Sequence, residues 1–323
     1  MSNLYTAYIL VDFSDDFHGV NYAAIGKEFL GVDAKLVLPF NHNQLNLGSL
    51  MIELVYFVPP IVKESMQVPP ILSDNSFLKV TFNLEEEKLR SLYKKRHREN
   101  INQLVLHRIM HLMIVCNIAV PGMFSWYDGK LLLNGEPIWN IERHYNELAF
   151  AYERSRSLKW PLLEFLSINQ VWNWYFEFEK GLEKPSTSAI ERALNALSHT
   201  FTSSGDWEFG NIFWALLALE ALYCKGHNNL QNQLVEKTEL FLGERTAFKK
   251  EVGKMYDFRS RFIHGNINFP SKFSYDDISD EWDKYIQSYQ SSFHLALAIL
   301  LATIQKLIKT NKTSIDFKLV LEE

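Results

Sequence analysis

Arg259 and His264 stand five residues apart in the run Lys254-Met255-Tyr256-Asp257-Phe258-Arg259-Ser260-Arg261-Phe262-Ile263-His264-Gly265. A guanidinium is a fixed cation, and an imidazole takes or gives a proton near neutral pH. Together they can neutralise a crowded phosphate and move a proton beside it. Phe248, Val252, Met255 and Phe262 recur around the pair at helical spacing, and Arg259 falls on the same stripe. A guanidinium on the buried face of a helix needs an anionic partner. Gly265 suits the position just past a helix end, so His264 is expected at a C-terminus.

The element expected to supply that anion is the segment from Ile212 to Tyr223, which carries one charge, Glu220, in an otherwise apolar run. An acid embedded there is costly without a partner, and Arg259 is the candidate. The pair serves either as a bridge holding two core helices together or as part of a site, and the residues alone leave both open. Arg192 and His199 repeat the arginine–histidine spacing on another segment, without a following glycine, and are expected to be ordinary helix-face residues. His107 and His111 stand one turn apart but lack a clear third metal ligand, so packing is expected. Lys94-Lys95-Arg96-His97-Arg98 is the densest basic cluster, expected on the solvated face of a charged helix. Trp172-Asn173-Trp174-Tyr175-Phe176 could stack bases but is expected in a core or an interface. No glycine-rich phosphate loop and no Ser-His-Asp signature is present.

Around these residues the chain divides by pattern. Leu4–Phe13, Lys35–Leu38, Met51–Val58 and Phe77–Phe82 are expected strands, rich in β-branched and aromatic residues. Helical character runs from Leu84 to about Ala119 and ends at Pro121-Gly122. A small β unit follows, with Asp128-Gly129 and Asn134-Gly135 expected as tight turns. Beyond Ile141 almost every segment is helical. Pro161 is expected to open a helix over Leu162–Lys180, and Ser188 with Glu191 has the spacing of a capping box. Further helices are expected over Ile212–Lys225 and Leu230–Leu242, from a Thr246 cap through His264, and from about Asp276 to Lys309. The expected class is α+β: a mixed domain over residues 1–145, then an all-α domain over 146–323.

The 323 residues, 47% hydrophobic and 22% charged, are those of a folded protein with a sizeable core. A net charge of −5 excludes a surface basic all over, so nucleic-acid binding would need a local patch. Cys116 and Cys224 lie in apolar stretches with no zinc pattern and are expected to be reduced. Neither a basic, apolar leader nor a bilayer-length run around Ile212–Tyr223 is evident, so a soluble cytoplasmic protein without membrane contact is expected.

Three motifs in order then make a resemblance. Ala218-Leu219-Glu220-Ala221-Leu222, Phe241-Leu242-Gly243 and Met255–Gly265 together resemble the HEPN superfamily, closest to its Apea-like branch. The similarity covers about Leu182 to Leu307. It implies a four- or five-helix bundle that dimerises, with two arginine–histidine motifs meeting in a cleft between subunits. Many members are endoribonucleases that need neither metal nor cofactor. On this chain the resemblance assigns catalysis to Arg259 and His264, with Glu220 holding the arginine, and places Asp257, Ser260 and Arg261 along the RNA-binding cleft. Ser260 departs from the Asn, Asp or His that follows the arginine in many nuclease members, although serine is usual in the Apea-like branch. Gly265-Asn266 lacks the tyrosine found where a HEPN protein is modified by a partner nucleotidyltransferase.

The expected activity is metal-independent RNA cleavage by attack of the 2′-hydroxyl, in phage defence or as a toxin. The mixed domain would respond to a phage or regulatory trigger. The alternatives are a non-catalytic HEPN module binding RNA, a nucleotide or a protein, and a dimerisation bundle.

Overall fold

The computed structural model describes residues 4–12, 36–42, 45–55, 58–63, 76–85, 87–89, 97–122, 125–142, 147–179, 182, 184–201, 209–226, 228–245, 250–268 and 280–317. They form an antiparallel sheet and many helices, an α+β protein. The chain separates into two compact units. One holds Met1–Asn146 with Leu166–Lys180, so the tryptophan-rich segment belongs to the first unit. The other holds Glu147–Phe165, Gly181–Phe201 and Asp206–Glu323.

Strands β1 (Leu4–Asp12), β2 (Leu36–His42) and β3 (Leu45–Val55) precede a short helix α1 (Pro60–Lys63) and strand β4 (Ser76–Leu84). Helix α2 (His97–Ala119) leads to β5 (Ser125–Leu133) and β6 (Glu136–Ile141). Their order across the sheet is β2-β3-β4-β1-β5-β6, with every neighbouring pair antiparallel. Period-two alternation puts Tyr5, Ala7 and Ile9 opposite Phe82, Val80 and Leu78, all buried. Helix α2 meets the sheet at β2, where the Arg108 guanidinium lies 5.5 Å from the Phe40 ring centroid. Leu10, Phe77, Leu132 and Val62 of α1 form a separate apolar cluster.

Two sequence expectations change here. Asp128-Gly129 is no turn: both residues lie inside β5. A Cβ on Gly129 would stand 3.0 Å from the Ile141 Cβ and the Tyr8 carbonyl, so close strand packing explains the glycine. Asn134 and Gly135, at φ of 53° and 90°, do make the two-residue turn between β5 and β6. The helix expected from Leu162 begins only at Ile168, after a cis Trp160-Pro161 bond and an irregular stretch.

Helix α3 (Leu148–Leu158) belongs to the second unit, and α4 (Ile168–Tyr175) to the first. In α4, Trp172 donates from Nε1 to the Pro39 carbonyl at 3.0 Å, and Trp174 and Tyr175 are buried. This aromatic group is core. His111 of α2 joins it through Nδ1, 2.9 Å from the Tyr175 hydroxyl. Arg108 pairs with Glu179 in the same interior.

The second unit continues with α5 (Ala189–Ser198), α6 (Asn211–Tyr223), α7 (Leu230–Leu242), α8 (Glu251–Ile263) and α9 (Asp280–Lys309). Ser188 and Glu191 cap α5 reciprocally: Glu191 N donates to Ser188 Oγ at 3.2 Å, and Ser188 N donates to Glu191 Oε2 at 3.0 Å. The α9 helix, 30 residues and about 45 Å long, is buried without a break from Ser292 to Gln305 and packs against α3, α6, α7 and α8. Such continuous apolarity marks a central core helix. Ile101–Ala119 and Asp280–Lys309 have the length and apolarity to cross a bilayer. Their most apolar windows are 67% and 89% buried within the protein, as in core helices. Thr246, Phe248 and the basic run Lys94–Arg96 lie outside the described residues.

Candidate functional site on α6 and α8

Helix α6 is apolar around nearly its whole circumference, more than burial alone requires. One side packs inward through Ile212, Ala215, Leu216 and Leu219. The other leaves Trp214 at 38% and Leu217 at 48% exposure. Helix α8 contributes Val252, Met255, Tyr256 and Phe258 to the interior. Phe213 and Phe262 join the two helices edge to face, with centroids 5.1 Å apart.

Glu220, the one charge of α6, meets Tyr256 and Arg259 of α8. Its Oε1 accepts a hydrogen bond from the Tyr256 hydroxyl at 2.9 Å and lies 3.4 Å from Arg259 Nη2. Tyr256 is one turn before Arg259, and the guanidinium carbon sits 5.4 Å from the tyrosine ring centroid. Arg259 is therefore held from two sides. Burial, reinforced by the hydrogen bond to Glu220, pushes the Tyr256 phenol well above its ordinary range, so it stays a donor at neutral pH. The ion pair is not sealed: 28% of the Arg259 side chain and 16% of the Glu220 side chain remain accessible.

These groups line a groove of about 670 Å³. Phe213, Trp214, Leu217, Phe262 and Ile263 give it apolar walls, and Ile263 is 52% exposed. Its polar groups are Glu220 and Arg259, with Gly265 at one end. His264 is exposed at the C-cap of α8. Gly265 N donates to the Phe262 carbonyl and Asn266 N to the Arg261 carbonyl, at 3.1 and 2.7 Å, and Gly265 takes φ +69°. That is the glycine-terminated helix end which fixes where the backbone carries His264.

The other expected residues separate. Asp257 and Arg261 are exposed and line a different groove, between α8 and α9. Ser260 is half-buried and lines neither groove. Arg192 lies on α5, and His199, just past its end, stacks on Trp214 with centroids 4.2 Å apart. Cys224 is near Glu220, but burial and that carboxylate push its thiol up to about 11, so it holds little thiolate at neutral pH.

Sequence reasoning passed over Tyr256 and the exposed residues Trp214 and Leu217. The signals were present: a tyrosine three residues before a stripe arginine, and a helix too apolar to be covered on every side. No protein-family model, curated protein or solved structure matches the chain.

Proposed function

We propose that the chain is a cytoplasmic, HEPN-type endoribonuclease that needs no metal. The observation that carries the reading is Arg259, held by Glu220 and Tyr256 yet accessible at an open groove, on the same helix whose end presents His264. RNA supplies its own nucleophile. The 2′-hydroxyl attacks the adjacent phosphorus, the bond to the 5′-oxygen breaks, and a 2′,3′-cyclic phosphate and a 5′-hydroxyl result. The crowded phosphate in that step is stabilised by Arg259, and His264 transfers the proton. Glu220 and Tyr256 orient the arginine.

The exposed apolar residues Trp214, Leu217 and Ile263 support assembly of two copies along this face, since patches of this kind mark interaction surfaces. The mixed unit over the first part of the chain then senses a phage or regulatory trigger, and RNA cleavage arrests growth or defends the cell. A second reading is a HEPN module that binds RNA, a nucleotide or a protein without cleaving. Glu220 already neutralises Arg259, which leaves less charge to stabilise the crowded phosphate of the cleavage step and favours a protein ligand within that reading.

Purified full-length protein incubated with total RNA in EDTA decides between them. Cyclic-phosphate ends that disappear in Arg259→Ala and His264→Ala, both still folded, establish the nuclease. Intact RNA with the wild type, but binding lost in the same variants, establishes the second reading.

A further inference from the structure

The groove between α8 and α9 carries a different chemistry from the apolar one. Lys254, Asp257, Arg261 and His264 recur at spacings of three, four and three, so they form one exposed row along α8. Lys254, Asp257 and Arg261 line a groove of about 390 Å³, whose facing wall is Gln287, Ser288 and Ser291 of α9. Met255 and Phe258, both buried, form its apolar floor. The volume lies in the range of small-ligand sites, but the lining is mainly polar, with Met255 and Phe258 as its apolar part.

We propose that this groove binds one nucleotide of single-stranded RNA, next to the phosphate that is cut, and selects guanine. This rests on the ribonuclease reading, because the row ends at His264, the proton carrier of that reaction. The apolar floor suits a base face, and single-stranded RNA is read by stacking together with hydrogen bonds to base edges. Lys254 and Arg261, about 10 Å apart along the helix, flank the groove with charge for the sugar-phosphate chain. Lys254 also pairs with Glu251 at 2.7 Å, and Glu251 lines the same groove, so the site is close to neutral. Near-neutrality disfavours a polyanion held by charge alone and favours a site that reads a base. Asp257 supplies the selectivity. A carboxylate offers two acceptors side by side, and guanine is the base whose pairing edge offers two adjacent donors. Gln287, Ser288 and Ser291 can meet the remaining atoms of the base edge.

The test uses full-length protein and short fluorescein-labelled RNAs with 2′-O-methyl groups, which cannot be cut. Each carries one guanosine, adenosine, cytidine or uridine in an otherwise constant sequence. Anisotropy titrations of the wild type are expected to favour the guanosine oligomer about tenfold. Asp257→Asn, with one acceptor replaced by a donor, is expected to lose that preference and remain folded. Lys254→Ala and Arg261→Ala should weaken all four oligomers alike and flatten the salt dependence. Equal affinity for the four bases, a preference that survives Asp257→Asn, or no binding at all overturns the proposal. Cleavage of an unmodified oligomer is measured in parallel. Guanine preference that depends on Asp257 without any cleavage upholds the groove and sinks the nuclease. Cleavage without base preference does the reverse.

Discussion

Glu220 Oε1 takes two contacts, and they differ in kind. The Tyr256 hydroxyl at 2.9 Å makes a close hydrogen bond, whereas Arg259 Nη2 at 3.4 Å is an ion pair without one. Tyr256 therefore fixes the carboxylate, and the carboxylate then biases the arginine. Removing the phenol oxygen should cost more in position than in charge. Tyr256→Phe is expected to lose about 1.5–3 kcal/mol of stability, the scale of a hydrogen bond to a charged group, measured by urea denaturation. Glu220→Gln should keep the acceptor for Tyr256 but release Arg259. It is expected to lower RNA cleavage more than it lowers stability. A Glu220→Gln protein with full activity would remove Glu220 from the machinery.

At the scale of single elements, the ends of helices are where sequence chemistry acts most directly. Around α5, the Thr187 backbone N–H first, and the Ser188 N–H and both hydroxyls after it, hold the Glu191 carboxyl below its ordinary range. A depressed carboxyl contributes stability above its unfolded value, and that contribution is lost as pH falls through the folded one. The difference in melting temperature between wild type and Glu191→Gln should thus be present at neutral pH and shrink below about pH 4. Glutamine keeps the reciprocal hydrogen bond, so the comparison isolates the charge. A difference that stays constant across that range would show the carboxylate's charge to be irrelevant to the cap. At the far end of α8, Gly265 closes the helix in a left-handed conformation with open space around its Cβ position, so its role is conformational and not steric.

For the whole molecule, two compact units divide the work of folding. The first is organised around its antiparallel sheet, the second around α9, and the candidate site lies entirely within the second. The exposed side of α6 is an apolar surface that a single copy leaves partly uncovered. Leu217 is half exposed at the groove, so a charge introduced there would be felt by a partner and not by the interior. Leu217→Asp is expected to leave the circular dichroism and melting curve nearly unchanged, shift the sedimentation coefficient to that of a monomer, and abolish cleavage. Wild-type protein that sediments as a monomer would remove the proposed dimer, and a Leu217→Asp protein that remains dimeric would place its interface elsewhere.

Much of this was legible without coordinates because it depends on neighbours in sequence. The Ser188–Glu191 cap, the Gly243 and Gly265 helix ends, and the turn at Asn134-Gly135 follow from local backbone chemistry. The lone charge in α6 announced that Glu220 needed a partner, and Arg259 had the matching pattern. Other features required the tertiary structure, because they depend on what packs from afar. Asp128-Gly129 carries the signature of a turn, yet Ile141 and Tyr8 approach so closely that the glycine serves a continuous strand. Trp172 and Tyr175, in helical surroundings, pack with the sheet-bearing unit through the Pro39 carbonyl and His111. Asp257, Arg259 and Arg261 are near neighbours in sequence, but the 100° turn per residue sends them to two different grooves. Periodicity gives the angle between side chains on a helix; only the packing of α6 on one flank of α8 and α9 on the other decides what each of them meets.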